Sequence, residues 1–123
     1  MLIRRLVIIS ASFVTIACGG AQLLSSPSTW GEDFTSRSPS TSECPGGSLV
    51  HLRAQMTVSA PHTLAEFQAR VPDLIRSRIS GGDRLHSFQF STYSESGNYW
   101  GFSGYLVARG NCVVHAQVTE YDN

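Results

Sequence analysis

The sequence predicts a single α+β domain in which one helix packs on one face of a four-stranded, mostly antiparallel sheet. Its 123 residues leave room for one small hydrophobic core. Four segments alternate apolar and polar side chains, which is the period of a half-buried strand, and one segment repeats apolar side chains at helical spacing. The helical segment follows the first strand, so the predicted order of elements is β-α-β-β-β.

The first predicted strand covers residues 49–60, where apolar side chains occupy every second position until Pro61 ends the pattern. The apolar positions are Val50, Leu52, Ala54, Met56 and Val58, and the polar positions are His51, Arg53, Gln55 and Thr57. One face of this strand is therefore expected to be buried and the other exposed.

The predicted helix begins at Thr63, which forms a capping box with Glu66. Its apolar side chains form one stripe, made of Leu64, Phe67, Val71, Leu74, Ile75 and Ile79. Pro72 lies inside this stripe and lacks a backbone N–H, so we expect it to kink the helix or to restart it. Gly81 and Gly82 end the helical pattern.

Three further strands are predicted from the alternation that follows Gly82. Their inward side chains are Phe88 and Phe90, then Trp100, Phe102, Gly104 and Leu106, and finally Val114, Ala116 and Val118. The Phe and Trp side chains of this set are expected to face the helix. Because a single helix with short connections joins the first two strands, we expect those two strands to be parallel through a right-handed crossover.

The turns set the register of the predicted hairpins, because residues directly opposite each other in antiparallel strands share a face. A three-residue loop over residues 95–97 puts Gly97 in the left-handed conformation. A three-residue loop over residues 109–111 is predicted for the second hairpin. The expected pairs are Phe90 with Phe102, Tyr93 with Tyr99, Tyr99 with Tyr121, Tyr105 with His115 and Leu106 with Val114.

In this register, every tyrosine lies on the sheet face that points away from the helix. The candidate binding residues on that face are Tyr93, Tyr99, Tyr105, Tyr121, His51, His115, Arg53 and Gln117. Tyrosine is enriched in the centres of interfaces, so this face is predicted to bind a partner protein, a peptide or a glycan. In the alternative interpretation, the tyrosine pairs only stabilise a solvated sheet.

The first 17 residues have the pattern of a secretory signal peptide. Arg4 and Arg5 form a positive start, and residues 6–17 form an apolar run. A run of that length is too short to cross a bilayer, which needs roughly 20 apolar residues. We therefore expect the protein to be exported.

The end of that run resembles the lipobox of bacterial lipoproteins, in the sequence Thr15-Ile16-Ala17-Cys18-Gly19, although Thr15 stands where the family pattern prefers Leu. The resemblance implies that Cys18 is acylated and that the protein is a cell-envelope lipoprotein facing the periplasm or the exterior. Its membrane contact is then made only through the N-terminal lipid. Ordinary cleavage after Ala17 or Ala21 would instead release a free secreted or periplasmic protein.

Residues 18–43 are rich in Ser, Thr, Gly and Pro and are predicted to be a flexible tether, because this composition buries little apolar surface. Trp30 and Phe34 are the exceptions, with the potential to dock on the domain or on a partner, although isolated aromatic residues in a tether more often do neither. The folded domain is predicted to cover residues 44–123.

The three cysteines divide into one lipid site and one pair. If Cys18 carries lipid, Cys44 and Cys112 remain to form a disulfide in an oxidising compartment. The chain has no CxxC motif and no His at ligand spacing beside either Cys, so no metal site is predicted.

Charge and motif content restrict the remaining functions. The nine basic residues, all Arg, balance nine acidic ones, and removal of the signal peptide leaves a net charge of −2, which argues against a nucleic-acid partner. Motifs such as G-x-S-x-G are absent, so a non-enzymatic envelope protein that uses no cofactor is expected. One alternative is an inhibitor of a periplasmic or extracellular hydrolase that inserts the loops at 95–98 and 109–111. Another is a small enzyme that uses His115 and Tyr105.

Overall fold

The computed structural model describes residues 21–71 and 76–122. Within these ranges the chain forms a four-stranded antiparallel sheet of order β1-β2-β3-β4 with short helices on both of its faces. The described helices are a 3-10 turn at Pro27–Thr29, α1 at Glu32–Thr35, α2 at Leu49–Gln55 and α3 at Leu64–Arg70. The strands are β1 at Thr57–Val58, β2 at Asp83–Tyr93, β3 at Tyr99–Arg109 and β4 at Cys112–Asp122. The predicted α+β class with four strands is confirmed, whereas the predicted signal peptide and Cys18 lie outside the described residues.

The prediction of a strand over residues 49–60 is wrong for most of that segment, which forms α2. The side-chain hydroxyl of Ser48 accepts a hydrogen bond from the backbone N–H of His51 and caps the helix. Leu49, Leu52 and Met56 are buried at helical spacing, while Val50 is 70% exposed. The alternating pattern misled because Leu52 and Met56 fit both a period of two and a period of four.

Only β1 remains of the first predicted strand, and it pairs antiparallel with β2 through Thr57 opposite Gln89. The prediction that these two strands are parallel is therefore wrong. The crossover rule presupposes two full strands joined by a helix, and a strand of two residues does not impose that direction.

The helix α3 begins as predicted. The side chain of Thr63 accepts a hydrogen bond from the N–H of Glu66, whose carboxylate accepts one from the N–H of Thr63. The helix ends at Arg70, and Val71 is extended because a residue before proline avoids the helical conformation. The apolar positions predicted at Leu74 and Ile75 lie outside the described residues.

Apolar side chains lie on both faces of the sheet, in two separate clusters. We define face A by the cluster Phe88, Phe102, Leu106 and Ala116, and face B by the cluster Leu85, Val107 and Val114. Face A packs against Trp30, Phe34 and α2, and face B packs against Leu24 and the α3 side of the chain, through Phe67 and Val71. The expectation that the Phe and Trp side chains face the predicted helix is therefore wrong. Leu85 and Val107 stand at odd-numbered positions of β2 and β3, whereas the Phe and Trp residues stand at even-numbered ones. These two apolar side chains therefore lie on face B, where α3 packs against them.

The expectation of a flexible tether is wrong for residues 21–43, which pack against the sheet. Trp30 is 1% exposed and Phe34 is 0% exposed, with the Phe34 ring 4.8 Å from that of Phe88. The segment passes around the β4 edge, where the N–H of Leu24 donates to the carbonyl of Val114 at 2.8 Å. Burial of its few large apolar side chains on face A, which α3 leaves uncovered, stabilises the ordered segment despite its polar composition.

The predicted Cys44–Cys112 disulfide is confirmed, with Cα atoms 5.0 Å apart. It joins the N-terminal segment to the first residue of β4 across a sequence separation of 68. Beside it, the N–H of Val113 donates to the carbonyl of Gly47, and Ser48 forms an isolated bridge with Cys112. We call this end of the sheet proximal and the end with the β2–β3 turn distal.

At the distal end, face A is covered by Arg37. Its guanidinium lies 4.1 Å from the ring centre of Phe90 and 5.5 Å from that of Trp100, in cation–π geometry. Arg37 also donates to the carbonyl of Asp33 in α1 at 2.7 Å. Residues that precede β1 therefore pack on face A at both ends of the sheet.

The β2–β3 hairpin has the predicted register, in which Phe90 lies opposite Phe102 and Tyr93 opposite Tyr99. Gly97 has the expected positive φ of 87°. The N–H of Ser94 donates to the carbonyl of Asn98, which closes the three-residue loop.

The predicted loop of the β3–β4 hairpin is wrong: Arg109 pairs with Cys112 around a two-residue turn with Gly110 at φ 62°. A β-bulge at the Val107/Ala108 step absorbs one residue, so Leu106 lies opposite Ala116 instead of Val114 and keeps its face. The other predicted pairs also change. A second bulge, at the Ser103/Gly104 step, moves Tyr121 opposite Phe102, and Tyr105 lies opposite Gln117.

If residues 21–43 belong to the core, Phe34→Ala should lower the free energy of unfolding by about 3–5 kcal/mol, because it removes a fully buried ring. Urea unfolding of the full chain measures this cost. The control Val50→Ala, at an exposed position of α2, should cost less than about 0.5 kcal/mol. Equal, small costs for both variants would contradict the packed N-terminal segment.

Candidate functional site

The distal half of face B is the candidate site, because the described helices leave it uncovered. Its polar lining side chains are Ser87, Gln89, Ser103, Tyr105, Thr119, Glu120 and Asp122, with Thr57 and Ser59 at the β1 margin. They surround a shallow cleft of about 480 Å³. This volume falls within the range of small-molecule and peptide sites. We call this surface, together with Tyr93, Tyr99 and Gln117, the open half of face B.

Four of the eight residues predicted for binding lie on this surface. Tyr93 and Tyr99 face each other at the hairpin tip with ring centres 5.7 Å apart, and Tyr93 is 71% exposed. Gln117 is exposed on β4, opposite Tyr105. The pairing that sequence alternation predicts for β2 and β3 is therefore sufficient to bring Tyr93, Tyr99 and Tyr105 to one face.

Tyr105 lies where the open half meets α3. The guanidinium of Arg70 lies 4.9 Å from its ring centre and donates a hydrogen bond to its hydroxyl oxygen. Tyr105 is half-buried as a result and is held in one position. It forms the border between the covered and the open parts of face B.

The structure places Tyr121 on face A, because the second bulge reverses its side. Its ring packs 6.1 Å from that of Phe102, and it remains 52% exposed. Burial and the neighbouring carboxylate of Asp33 raise the pKa of its hydroxyl. The prediction that all four tyrosines share one face is therefore wrong for this residue.

His51 and Arg53 were also misplaced by the predicted strand. Both are exposed side chains of α2, which packs on face A. They lie on the opposite side of the sheet from the open half of face B and take no part in the candidate site.

His115 is 8% exposed and supports the N-terminal segment instead of facing a ligand. The indole N–H of Trp30 donates to Ser25 Oγ at 2.6 Å, so the Ser25 hydroxyl is free to donate to His115 Nδ1 at 2.7 Å. Burial lowers the pKa of His115, in agreement with a neutral ring that accepts at Nδ1. The proposed His115–Tyr105 enzyme loses its geometric basis, because His115 faces Ser25 and Tyr105 lies opposite Gln117.

A second group at this site was missed from the sequence. His62 Nε2 lies 2.5 Å from Ser87 Oγ, and His62 Nδ1 lies 3.2 Å from Glu66 Oε1. Ser87 lies 25 positions from His62 along the chain, so no local motif connects them. The only sequence signal was the capping box, which placed His62 directly before the helix and Glu66 one turn inside it.

The described ranges, 21–71 and 76–122, contain no group of three His, Cys, Asp or Glu side chains placed to hold a metal ion. No helix in those ranges is both long and apolar enough to cross a membrane. The polar groups at the site are tyrosine, serine, amide and carboxylate groups, the His62 imidazole and the neighbouring Arg70.

Comparison with models of known protein families, with curated protein sequences and with solved structures found no match for this chain. Its function must be argued from its own residues.

Two buried histidines should make the protein less stable in acid. Burial lowers the pKa of His86, against the raising effect of its hydrogen bond to Ser59, and it also lowers that of His115. In the unfolded chain these two histidines take up protons near pH 6.5, whereas in the folded chain burial opposes their protonation. The free energy of unfolding should therefore fall as pH drops from 7.5 to 5.5. Urea titrations across this range should give a smaller fall for His115→Gln than for wild type. The control His51→Gln should behave like wild type, and an identical slope in all three proteins would contradict the assignment.

Proposed function

We propose that this protein is an exported, lipid-anchored envelope protein that binds a partner through the open half of face B. The observation that carries the proposal is the cleft of about 480 Å³, bordered by tyrosine and polar side chains on the part of the sheet that the described helices leave uncovered. Face A, by contrast, packs against Trp30, Phe34, Arg37 and α2.

The side chains of this surface suit recognition of a polar chain. Tyr93 and Tyr99 offer large, rigid contact areas that lose little side-chain entropy on binding. Gln89 and Gln117 add amide donors and acceptors, and Glu120 adds a carboxylate. Aromatic rings beside amide groups can stack on sugar rings or on peptide bonds. The expected partner is therefore an envelope protein or a glycan.

The anchor determines how this surface would be presented. Cys18 and Ala21 are three residues apart, a span of about 10 Å at most. Ala21 lies beside Glu43, through an N–H donated to the Glu43 carbonyl at 3.4 Å, and therefore close to the proximal end of the sheet. An acylated Cys18 would hold that end at the membrane, so the distal end with Tyr93 and Tyr99 would point away from it.

A second candidate function is inhibition of a periplasmic or extracellular hydrolase, and the hairpin tip favours it. Among the described residues, β4 pairs with β3 as far as Gly101, and residues 94–98 at the hairpin tip are exposed. The other loop proposed for insertion, at residues 109–111, is held against α2. There Asn111 accepts hydrogen bonds from the backbone N–H groups of Leu49 and Val50. Inhibition would therefore depend on the first loop alone.

Partner binding can be tested with a photo-crosslinking amino acid at Gln89, introduced into the full chain in its own cells. A discrete adduct should form from Gln89, because this position borders the cleft. The double substitution Tyr99→Ser and Tyr105→Ser should reduce this adduct at least tenfold while the protein stays folded, because it removes the aromatic contact area.

The matched controls use face A and α2. Tyr121→Ser, on face A, should leave the Gln89 adduct intact, and a crosslinker at Val50 should not form it. The proposal fails if Val50 gives the same adduct, or if the double variant still forms it. Substitutions confined to residues 95–98 that abolish the adduct would favour the inhibitor function.

Export and lipidation predict a specific mature mass. The protein isolated from membranes should begin at Cys18 and carry the mass of covalently attached acyl chains, and Cys18→Ala should release it from the membrane fraction. Intact-mass measurement on both proteins tests this. A mature chain without lipid that begins at Cys18 or Gln22 would contradict it.

A further inference from the structure

We propose that Ser87, His62 and Glu66 form a nucleophile triad that hydrolyses carboxylic esters at the margin of the open half of face B. This inference goes beyond binding and assigns a chemical activity to the same surface. It rests on the arrangement of three side chains from the loop before α3, from α3 itself and from β2.

The three side chains contact one another in the order serine, histidine, glutamate, which a serine nucleophile with an oriented base requires. Ser87 Oγ lies 2.5 Å from His62 Nε2, and His62 Nδ1 lies 3.2 Å from Glu66 Oε1. If His62 donates its Nδ1 proton to the carboxylate, Nε2 accepts the proton of the Ser87 hydroxyl. This is the tautomer in which a histidine acts as general base for a serine.

Glu66 is positioned to hold that tautomer. Its Oε1 accepts from the N–H of Thr63 at 3.1 Å and from the Thr63 hydroxyl at 3.2 Å, in addition to its contact with His62. The hydrogen bonds from Thr63 and His62 lower the pKa of the Glu66 carboxyl, so it is an anion at neutral pH. Glu66 is therefore a positioning residue that acts through His62.

The backbone holds the nucleophile and the base in place. Ser59 makes two hydrogen bonds with the backbone of Ser87. The Ser59 hydroxyl accepts one from the N–H of Ser87, and the Ser59 N–H donates one to the Ser87 carbonyl, each at 2.9 Å. The N–H of His62 donates to the carbonyl of Leu85 at 2.8 Å. Both side chains are half-buried, and Ser87 lines the cleft.

A donor for the developing negative charge lies directly across the strand pair. Tyr105 is opposite Ser87, and both line the cleft. Because the Tyr105 hydroxyl oxygen accepts from Arg70, its own hydrogen remains to be donated, and the neighbouring guanidinium strengthens that donor. An ester carbonyl bound between the two strands would place its oxygen towards Tyr105.

The reaction then balances with water as the second reactant. Ser87 Oγ bonds to the ester carbonyl carbon while its proton moves to His62 Nε2. The tetrahedral adduct collapses, the carbon–oxygen bond to the alcohol breaks, and the alcohol leaves with the proton from His62. Water then attacks the acyl-serine, gives a proton to His62 Nε2, and releases the carboxylic acid as that proton returns to Ser87 Oγ.

The test uses the purified full chain and a fluorophosphonate, which forms a phosphorus–oxygen bond with an activated serine and loses fluoride. Labelling should occur at Ser87, located by fragmenting the tryptic peptide of residues 85–109, and should be lost on unfolding in urea. Ser87→Ala should abolish labelling and the hydrolysis of p-nitrophenyl acetate above background. His62→Gln should slow hydrolysis at least about 100-fold, the size expected for loss of a general base.

Two controls separate chemistry from folding. Ser36→Ala and Glu32→Gln alter exposed side chains at α1 and should leave labelling and hydrolysis unchanged. Glu66→Gln keeps a side chain that can complete the capping box, so its Tm should stay near that of wild type while kcat falls and KM does not. Labelling of wild type that is spread over several serines, or hydrolysis that persists in Ser87→Ala, would overturn the proposal, and neither outcome depends on whether a partner binds Tyr99.

Discussion

The rest of the structure depends on the need to cover apolar side chains on both faces of one small sheet. Phe88 and Phe102 on face A and Leu85 and Val107 on face B are all buried, and a single short helix cannot cover both sides. The N-terminal segment solves this by passing around the β4 edge and placing its Trp and Phe rings on face A. The disulfide to the start of β4 fixes that path, since it closes a long loop that would be costly to order otherwise.

Several polar contacts hold the same segment against the sheet. Arg109 binds the carboxylate of Asp83 through two nitrogen atoms at 2.8 and 2.9 Å, and its third nitrogen donates to the carbonyl of Gln22. Arg78 donates to the carbonyl of Leu24, and His115 accepts from Ser25. The N-terminal segment and α2 pack on face A, and among the described residues α3 packs only on the proximal half of face B, so the distal half of face B is left open. The candidate site is thus a consequence of how the core is closed.

The sequence predicted the features that rest on short-range physics. The capping box at Thr63, the left-handed Gly97 and the Cys44–Cys112 pair each follow from a local rule or from counting, and each is present. Features that depend on tertiary competition were missed. The segment of α2 satisfies two periodicities, and the choice between them is made by packing of Leu52 against face A.

The candidate site could be predicted only in part, because it also depends on tertiary packing. Alternation places Tyr93, Tyr99 and Tyr105 on one face. The bulge at the Val107/Ala108 step compensates for the two-residue turn, whereas the bulge at the Ser103/Gly104 step reverses the positions beyond it and moves Tyr121 to the other face. The contact between His62 and Ser87 is made by a loop folding back on β2, and its residue spacing carries no motif.

Native-state hydrogen exchange tests the central claim, that the N-terminal segment is an integral layer of the core, most directly. The Leu24 amide donates to the carbonyl of Val114, and the amide of the buried Trp30 donates to the carbonyl of Pro27. Both amides should exchange only through openings as costly as those that release the amides of β3, because the face cannot be uncovered without global unfolding. Exchange of these two amides at the rate of an unstructured chain, while β3 remains protected, would contradict it.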